Sequence, residues 1–242
     1  MMQRLAVSTS QIQGESLTLT QAQFHYLGRV LRLQKGDRFI ALDGQGGAWL
    51  AILDQKTAQL ADKLDFDGEL PVAVHLIVAM PKGSGFEEIV RQGTELGVAS
   101  FQPVWSDRTL LKPSEHKRQR WRRIVAEAAE QCERAVVPTV NDPIPLHQAL
   151  QNRSDTTAPG YIAAARSPQT APLLTVLSPQ TQQLTLVTGP EGGWTDSELA
   201  DAIALGFQPV SLGKRILRAV TAPVAALGAI AAYYESPSIL KQ

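Results

Sequence analysis

The densest run of chemically useful residues extends from Leu186 to Asp196, Leu-Val-Thr-Gly-Pro-Glu-Gly-Gly-Trp-Thr-Asp. An apolar strand enters it and a helix leaves it, with Thr195 suited to the N-cap and Asp196 and Glu198 to the first turn. Gly189, Pro190, Glu191, Gly192 and Gly193 place three glycines and a proline in five positions, more than a strand-to-helix turn requires. Without Cβ atoms the backbone can close on a ligand. The carboxyl ends of parallel strands are where open α/β sheets bind one. A second loop of this kind runs from Ser211 to Pro223 through Leu212, Gly213, Ile216 and Leu217 and carries three cations, Lys214, Arg215 and Arg218. Pro223 fits the first turn of the helix that follows. Two such loops at adjacent strand ends would wall one pocket; taken alone, the second is equally a solvated loop.

A third feature is electrostatic. Between Arg108 and Arg123 stand seven basic residues (Arg108, Lys112, Lys117, Arg118, Arg120, Arg122, Arg123) and one acid, Glu115. Such a patch neutralises phosphates, with aromatic rings available to stack on bases. It fits a solvated helix face equally well, and Trp121 within it falls at an inward position. Glu127, Gln131 and Arg134 share a helical face at i, i+4 and i+7. Other chemistry finds no support. There is no G-x-G-x-x-G, phosphate-loop, H-E-x-x-H or G-x-S-x-G motif. The four histidines are scattered, so no metal is expected, and the lone Cys132 excludes an intramolecular disulfide or a multi-cysteine zinc site.

The elements that must position these residues follow from patterning. The chain has 242 residues, 44% hydrophobic and 19% charged, enough to bury a sizeable core. Its 23 basic and 23 acidic residues cancel, which excludes a whole-molecule polybasic mode but not a local patch. The N-terminus lacks the apolar core of a signal peptide. The most apolar stretch, Val220 to Tyr234, is too short to span a bilayer, so a cytoplasmic protein with no membrane partner is expected. Residues 1–70 read as short strands (Leu5–Val7, Ser16–Leu19, Arg38–Leu42, Trp49–Leu53) with a glycine hairpin loop at 43–47 and one helix over Thr20–Val30, suggesting a small barrel. Asp65–Pro71 marks the boundary. Over 71–242, strands at Val72–Ala79, Val98–Val104, Tyr161–Ala165, Leu184–Thr188 and Pro209–Leu212 alternate with helices at Phe86–Leu96, Arg120–Ala135, Asp196–Leu205 and Ala222–Tyr234. That alternation predicts an α/β domain with a parallel sheet covered on both faces. Gln151–Pro159 reads as a polar loop, and the nearly all-apolar last helix as a core element or a homodimer contact.

Five blocks, FHYLGRVLRLQKGD (Phe24–Asp37), TELGV (Thr94–Val98), EAAEQCERAVVP (Glu127–Pro138), TGPEGGWTDSE (Thr188–Glu198) and LGKRILRAVTA (Leu212–Ala222), stand in the order found in the ribosomal RNA small subunit methyltransferase E family, which the chain resembles over nearly its whole length. The resemblance implies a PUA-like β-barrel over 1–70 that binds RNA and, over 71–242, a SPOUT-type α/β domain with a C-terminal trefoil knot. It implies S-adenosylmethionine as cofactor, 16S rRNA of the small ribosomal subunit as partner, methylation at N3 of a uridine, and a homodimer. The cofactor would be held by Thr188, Gly189, Pro190, Glu191, Gly192 and Gly193, by Ser211, Leu212, Gly213, Ile216 and Leu217, and by the loop after Tyr161–Ala165. A sulfonium is already activated, so no metal is needed.

Uracil N3 must lose its proton to become nucleophilic, and cations near O2 and O4 would stabilise the anion. Arg218 is the first candidate for that role, Arg134 the second, and Glu127 a proton acceptor. RNA would be gripped by His25, Arg29, Arg32 and Lys35 and by Arg108, Arg122 and Arg123. The chain departs from the family at two places: Val220 stands where a glutamate is usual and Gln92 where a lysine is. Another knotted RNA methyltransferase, acting on a ribose 2′-oxygen or on tRNA, and a non-catalytic ribosome-assembly factor are the alternatives.

Overall fold

The computed structural model describes residues 2–65, 68–109, 111–153, 157–165, 167 and 170–236. Part of the expected boundary (66–67) and of the expected polar loop (154–156) lies outside the described residues. The chain divides into two units, Met1–Glu69 with Ala126–Val137, and Leu70–Val125 with Pro138–Gln242.

The first unit is a six-stranded sheet of β1 (Arg4–Ala6), β2 (Ile12–Gln13), β3 (Ser16–Thr18), β4 (Arg38–Leu42), β5 (Ala48–Asp54) and β6 (Thr57–Leu64) in the order β1-β4-β5-β6-β3-β2. Alternation sends Leu17, Phe39, Ala41, Ala51, Leu53 and Leu60 into one apolar core. At the β4–β5 hairpin the Asp43 carboxylate accepts from the amides of Gln45 and Gly47, both at 2.8 Å. Gly44 and Gly46 take the positive φ the loop needs. Thr20 and Gln23 form a capping box that starts α1 (Gln21–His25), which continues into a π-helical turn over Tyr26–Val30. Together these fill the expected helix.

Residues 126–137 join this unit through contacts no local pattern reveals. The amide of Gly46 donates to the Ala135 carbonyl at 3.1 Å, and that of Val137 to the Gly44 carbonyl at 2.9 Å. To reach them the chain must leave the helix. α3 (Glu115–Gln131) therefore starts earlier and stops earlier than expected, with Glu133 in the left-handed region at φ 67°. Arg134 thus leaves the helical face it was expected to share with Glu127 and Gln131.

The second unit is an all-parallel sheet of β7 (Ala73–Ala79), β8 (Val98–Trp105), β9 (Thr139–Val140), β10 (Ile144–Pro145), β11 (Gly160–Ala163), β12 (Ala171–Pro172), β13 (Gln183–Thr188) and β14 (Phe207–Ser211). The order is β10-β8-β7-β13-β11-β14-β12, with β9 also beside β8. The central strands are mostly apolar and buried, as a sheet covered on both faces demands. On one face α4 (Leu146–Gln151) and α6 (Asp196–Ala204) pack over Ile77, Val104, Ile162 and Val187. On the other lie α2 (Gly85–Glu95), the start of α3 and α7 (Thr221–Tyr234). There the Phe86 and Trp121 rings stand 4.4 Å apart, which confirms Trp121 as core, and Gly93 leaves room for Phe101 and Leu227.

The last third of the chain crosses itself. β14 pairs with β11 on one side and β12 on the other, and Val210 near its end is opposite both Ala163 and Ala171. The chain therefore stands on one flank of β14 at Ala163 and on the other at Ala171. Beyond the crossing, the short helix α5 (Leu173–Val176) and the turn after it receive α7. The hydroxyls of Tyr161, Tyr233 and Tyr234 donate to the carbonyls of Val176, Leu177 and Ser178 at 2.8, 3.1 and 2.9 Å. The apolar character of α7 is thus largely met within the chain: Ala226, Leu227, Ile230 and Tyr234 are all buried. Among the described residues no helix is long and apolar enough to cross a membrane.

Candidate active site

At the carboxyl ends of β11, β13 and β14 three loops enclose a cavity of about 350 Å³, within the range of small-molecule sites. The loop after β13 supplies Gly189 to Asp196, the loop after β14 supplies Leu212, Gly213 and Arg215 to Leu217, and Ala163 to Ala165 close the third side. All three leave adjacent parallel strands, so the strand order alone brings their ends together.

The glycine-rich loop is fixed from outside by side chains. The Trp194 indole donates to the Ala163 carbonyl at 3.0 Å and packs against Gly189. A Cβ on Gly189 would stand 3.0 Å from Trp194 Cε2. The Glu191 carboxylate accepts from the Lys82 amide at 2.9 Å. Arg108 Nη1 donates to the carbonyls of Gly192 (2.5 Å) and Trp194 (3.4 Å), and its side chain fills the space a Cβ on Gly192 would need. Thr195 and Glu198 form a capping box at the start of α6, and Glu198 also accepts from the Asp107 amide at 2.8 Å. In the loop after β14, Ser211 Oγ accepts from the Gly213 amide at 3.2 Å, and Gly213 takes φ 112°, open to glycine alone at low cost. Val220 packs against Gly85.

The expected cofactor residues largely converge here. Gly189, Pro190, Glu191, Gly192, Gly193, Leu212, Gly213, Ile216 and Leu217 line the cavity. Thr188 and Ser211 sit at the strand ends behind it; Thr188 is wholly buried, and its Oγ1 has no hydrogen-bond partner among the described residues. Arg218 lies on the second loop between two lining residues, exposed, and no side-chain partner is present among the described residues. Trp194, Leu199 and Val210 also line the cavity and were not singled out from sequence. For Trp194 the signal was available, as a large ring directly after the glycine pair.

Apart from Arg108, the other expected site residues lie outside the cavity lining. Arg134 is 3% exposed and forks onto the Glu69 carboxylate at 2.6 and 3.0 Å, both residues being in the first unit. Its charge is already matched, and it is absent from the cavity lining. Glu127 is exposed, also in the first unit, and does not line the cavity either. Arg108 faces the glycine-rich loop. The basic segment is interleaved with acids: Arg122 pairs with Asp142 at 2.7 Å, Arg120 with Glu87 at 3.0 Å and Arg118 with Glu115. Arg123 is exposed on the same helix. In the first unit His25, Arg29 and Arg32 are exposed, and Lys35 pairs with Asp54 at 2.8 Å. Among the described residues no group of three His, Cys, Asp or Glu could hold a metal.

The parallel sheet with its three-loop cavity falls within an RNA methyltransferase domain. Residues 68–231 match the RNA methyltransferase domain family, and residues 19–61 match the RNA methyltransferase PUA domain. A ribosomal RNA small subunit methyltransferase E from Synechocystis sp. is 52% identical over 239 residues, covering 96% of this chain and 78% of that protein. Its counterpart in Bacillus subtilis is 31% identical, covering 95% and 96%. A crystal structure of the Neisseria gonorrhoeae protein of that name, bound to S-adenosyl methionine, superposes with a TM-score of 0.86 at 31% identity, covering 95% and 97%. The chain belongs to the ribosomal RNA small subunit methyltransferase E family. Its second unit is accordingly a SPOUT-type α/β domain whose crossing is the C-terminal trefoil knot, and its first a PUA-like β-barrel.

Proposed function

We propose that this enzyme transfers the methyl group of S-adenosylmethionine to N3 of a uridine in 16S rRNA of the small ribosomal subunit. The observation that carries the reading is the cavity at the chain crossing. Ala163, Ala164, Val210 and Leu217 give it an apolar surface, and the backbone of the glycine-rich loop and of Leu212–Gly213 gives it a polar edge. A Cβ at Gly189 would crowd Trp194 at 3.0 Å, so the position suits glycine and leaves a bare backbone that a ligand can approach closely. An adenosine ring with a thioether chain suits such a space.

When bound, the cofactor supplies a methyl group on a positively charged sulfur. The protein's own part is to hold the base and stabilise its anion. Uracil N3 is reached only in an unpaired or flipped nucleotide. The exposed Arg218 guanidinium, at the edge of the loop that lines the cavity, would pair with uracil O2 or O4 and stabilise the N3 anion. With Val220 packed on Gly85 this loop offers no carboxylate; the acids that line the cavity are Glu191 and Asp196 on the glycine-rich side, and the N3 proton passes to solvent as Arg218 stabilises the anion. Holding N3 in line with the methyl group contributes the rest of the rate. In the first unit His25, Arg29 and Arg32 would grip RNA, in keeping with the PUA domain match. Following the family resemblance, the enzyme would act as a cytoplasmic homodimer.

The test is incubation with methyl-labelled S-adenosylmethionine and small subunits lacking the modification, followed by digestion and chromatography of the RNA. Label in 3-methyluridine is expected. Label in a 2′-O-methylated nucleoside would move the target, and absence of both label and cofactor binding would refute the reading.

A further inference from the structure

The distribution of free and engaged cations points to a phosphate-binding lip at the cavity mouth, formed by Lys214 and Arg215. We propose that these two residues hold the RNA phosphates flanking the target nucleotide, and that the cationic segment around α3 does not. The inference rests on the RNA-methylating reading above.

Most cations of the Arg108–Arg123 segment are already committed within the second unit. Arg108 donates to the Gly192 and Trp194 carbonyls, and Lys117 Nζ to the Gly83 carbonyl at 3.2 Å. Arg118, Arg120 and Arg122 pair with Glu115, Glu87 and Asp142. Binding phosphate there would break those pairs first. The loop after β14 is the opposite case. Lys214 and Arg215 are exposed and have no side-chain hydrogen bond or ion pair among the described residues. That loop carries no acid from Ser211 to Pro223 to offset them.

Position adds to charge. Arg215 lines the cavity, and its Nη2 lies 3.6 Å from where a Cβ on Gly213 would stand, so the guanidinium sits over the turn at the rim. A base that reaches the cofactor at the cavity mouth brings its own two phosphates to that rim, because the backbone stays outside when a nucleotide is flipped. Phosphate contacts of this kind position the strand without reading its sequence. Arg218, three residues on, then meets the base itself, so one loop divides its cations between backbone and uracil.

The experiment is a salt titration of binding to protein-free 16S rRNA lacking the modification, with cofactor affinity measured on the same preparations. Each single-stranded phosphate contact contributes about 0.7 to the slope of log K against log salt. Lys214→Ala/Arg215→Ala should make the slope shallower by about 1.4, while Lys214→Arg should restore one contact. S-adenosylhomocysteine should bind Lys214→Ala, a residue outside the cavity lining, within about twofold of the parent, a change well under the tenfold that 1.4 kcal/mol represents, which also shows that the loop has kept its fold, and that single variant should make the slope shallower by about 0.7. Lys117→Ala/Arg120→Ala/Arg122→Ala should leave the slope unchanged. An unaltered slope in the Lys214/Arg215 variant, or a shallower one only in the α3 variant, overturns the proposal. If the unmutated protein neither binds the rRNA at low salt nor labels small subunits, the RNA-methylating reading itself is refuted, a result distinct from either.

Discussion

Gly189→Ala is the sharpest probe of the cavity, because the clash it creates can be measured. The new Cβ would lie 3.0, 3.3 and 3.4 Å from three atoms of the Trp194 indole. Carbon atoms rest comfortably at about 3.5–4.0 Å, so the ring or the loop must move by about 0.5 Å. The ring has little freedom. Its Nε1 is held by the Ala163 carbonyl at 3.0 Å, and its outer side packs on the cluster around Ile77, Ile162 and Val187. Overpacking of this kind costs about 1–3 kcal/mol, and loss of the indole hydrogen bond about 1 kcal/mol more. Gly189 and Trp194 both line the cavity, so a good part of the cost should appear as lost affinity, about 10- to 100-fold at 1.4 kcal/mol per decade. Calorimetric titration with S-adenosylhomocysteine reads the affinity, and thermal melting of the same sample reads what falls on the fold. Trp194→Phe supplies the decisive comparison, since a phenyl ring leaves room for the methyl group. In that background Gly189→Ala should cost markedly less, a coupling that a double-mutant cycle isolates. Equal cost in both backgrounds, or an affinity and melting temperature unchanged by Gly189→Ala, would refute the argument that the ring against the glycine shapes the site.

Other perturbations separate roles that sequence reasoning merged. Arg134→Met leaves the Glu69 carboxylate, 32% exposed and still bonded by the Val136 amide, without its guanidinium and should cost about 1–3 kcal/mol of stability with little change in kcat per folded molecule; loss of kcat at unchanged stability would return Arg134 to the chemistry. Arg108→Met removes the donor to Gly192 and Trp194 and should weaken cofactor binding several-fold while leaving the RNA salt slope intact, measured by the two titrations already described. Arg32, held at φ 59°, tests RNA binding by the first unit. Arg32→Gly should relieve about 1 kcal/mol of left-handed strain and make the salt slope shallower by about 0.7–0.9, so a more stable protein with weaker RNA binding is expected in urea unfolding and filter binding. Burial pushes the Tyr161 phenol up to about 12 from 10.0. Unfolded chains ionise first, so the Tyr161 contribution is full below pH 10 and lost as pH rises toward 12. Tyr161→Phe should flatten the fall in melting temperature over that window; an equally steep fall would show that Tyr161 is not its source.

What could be read from sequence and what could not divides by range. The glycine-rich loop, the Thr195 cap and the alternating strands and helices are local, and local chemistry reports them: three glycines cannot sit between a strand and a helix without consequence for what approaches there. β6 escaped because its inward residues are Ala58 and Leu60 among polar neighbours, an alternation too weak to stand out. The early end of α3 escaped for a stronger reason. Nothing in Cys132-Glu133-Arg134 stops a helix; the hairpin at Gly44 and Gly46, some 90 residues earlier, draws the chain away, and long-range hydrogen bonds override propensity. The same holds for charge. Seven cations in sixteen residues read as a nucleic-acid surface until Glu87 and Asp142, which flank the segment in sequence, are found beside it in space. Composition counts charges but pairing decides which are free, and free charge is what a polyanion can use. The crossing of the chain lies furthest from any local signal, because it is a property of the order of β11, β14 and β12 and of no residue among them. Yet that crossing gives the glycine-rich loop its opposite wall, so the feature least visible in the sequence turns the most visible one into a site.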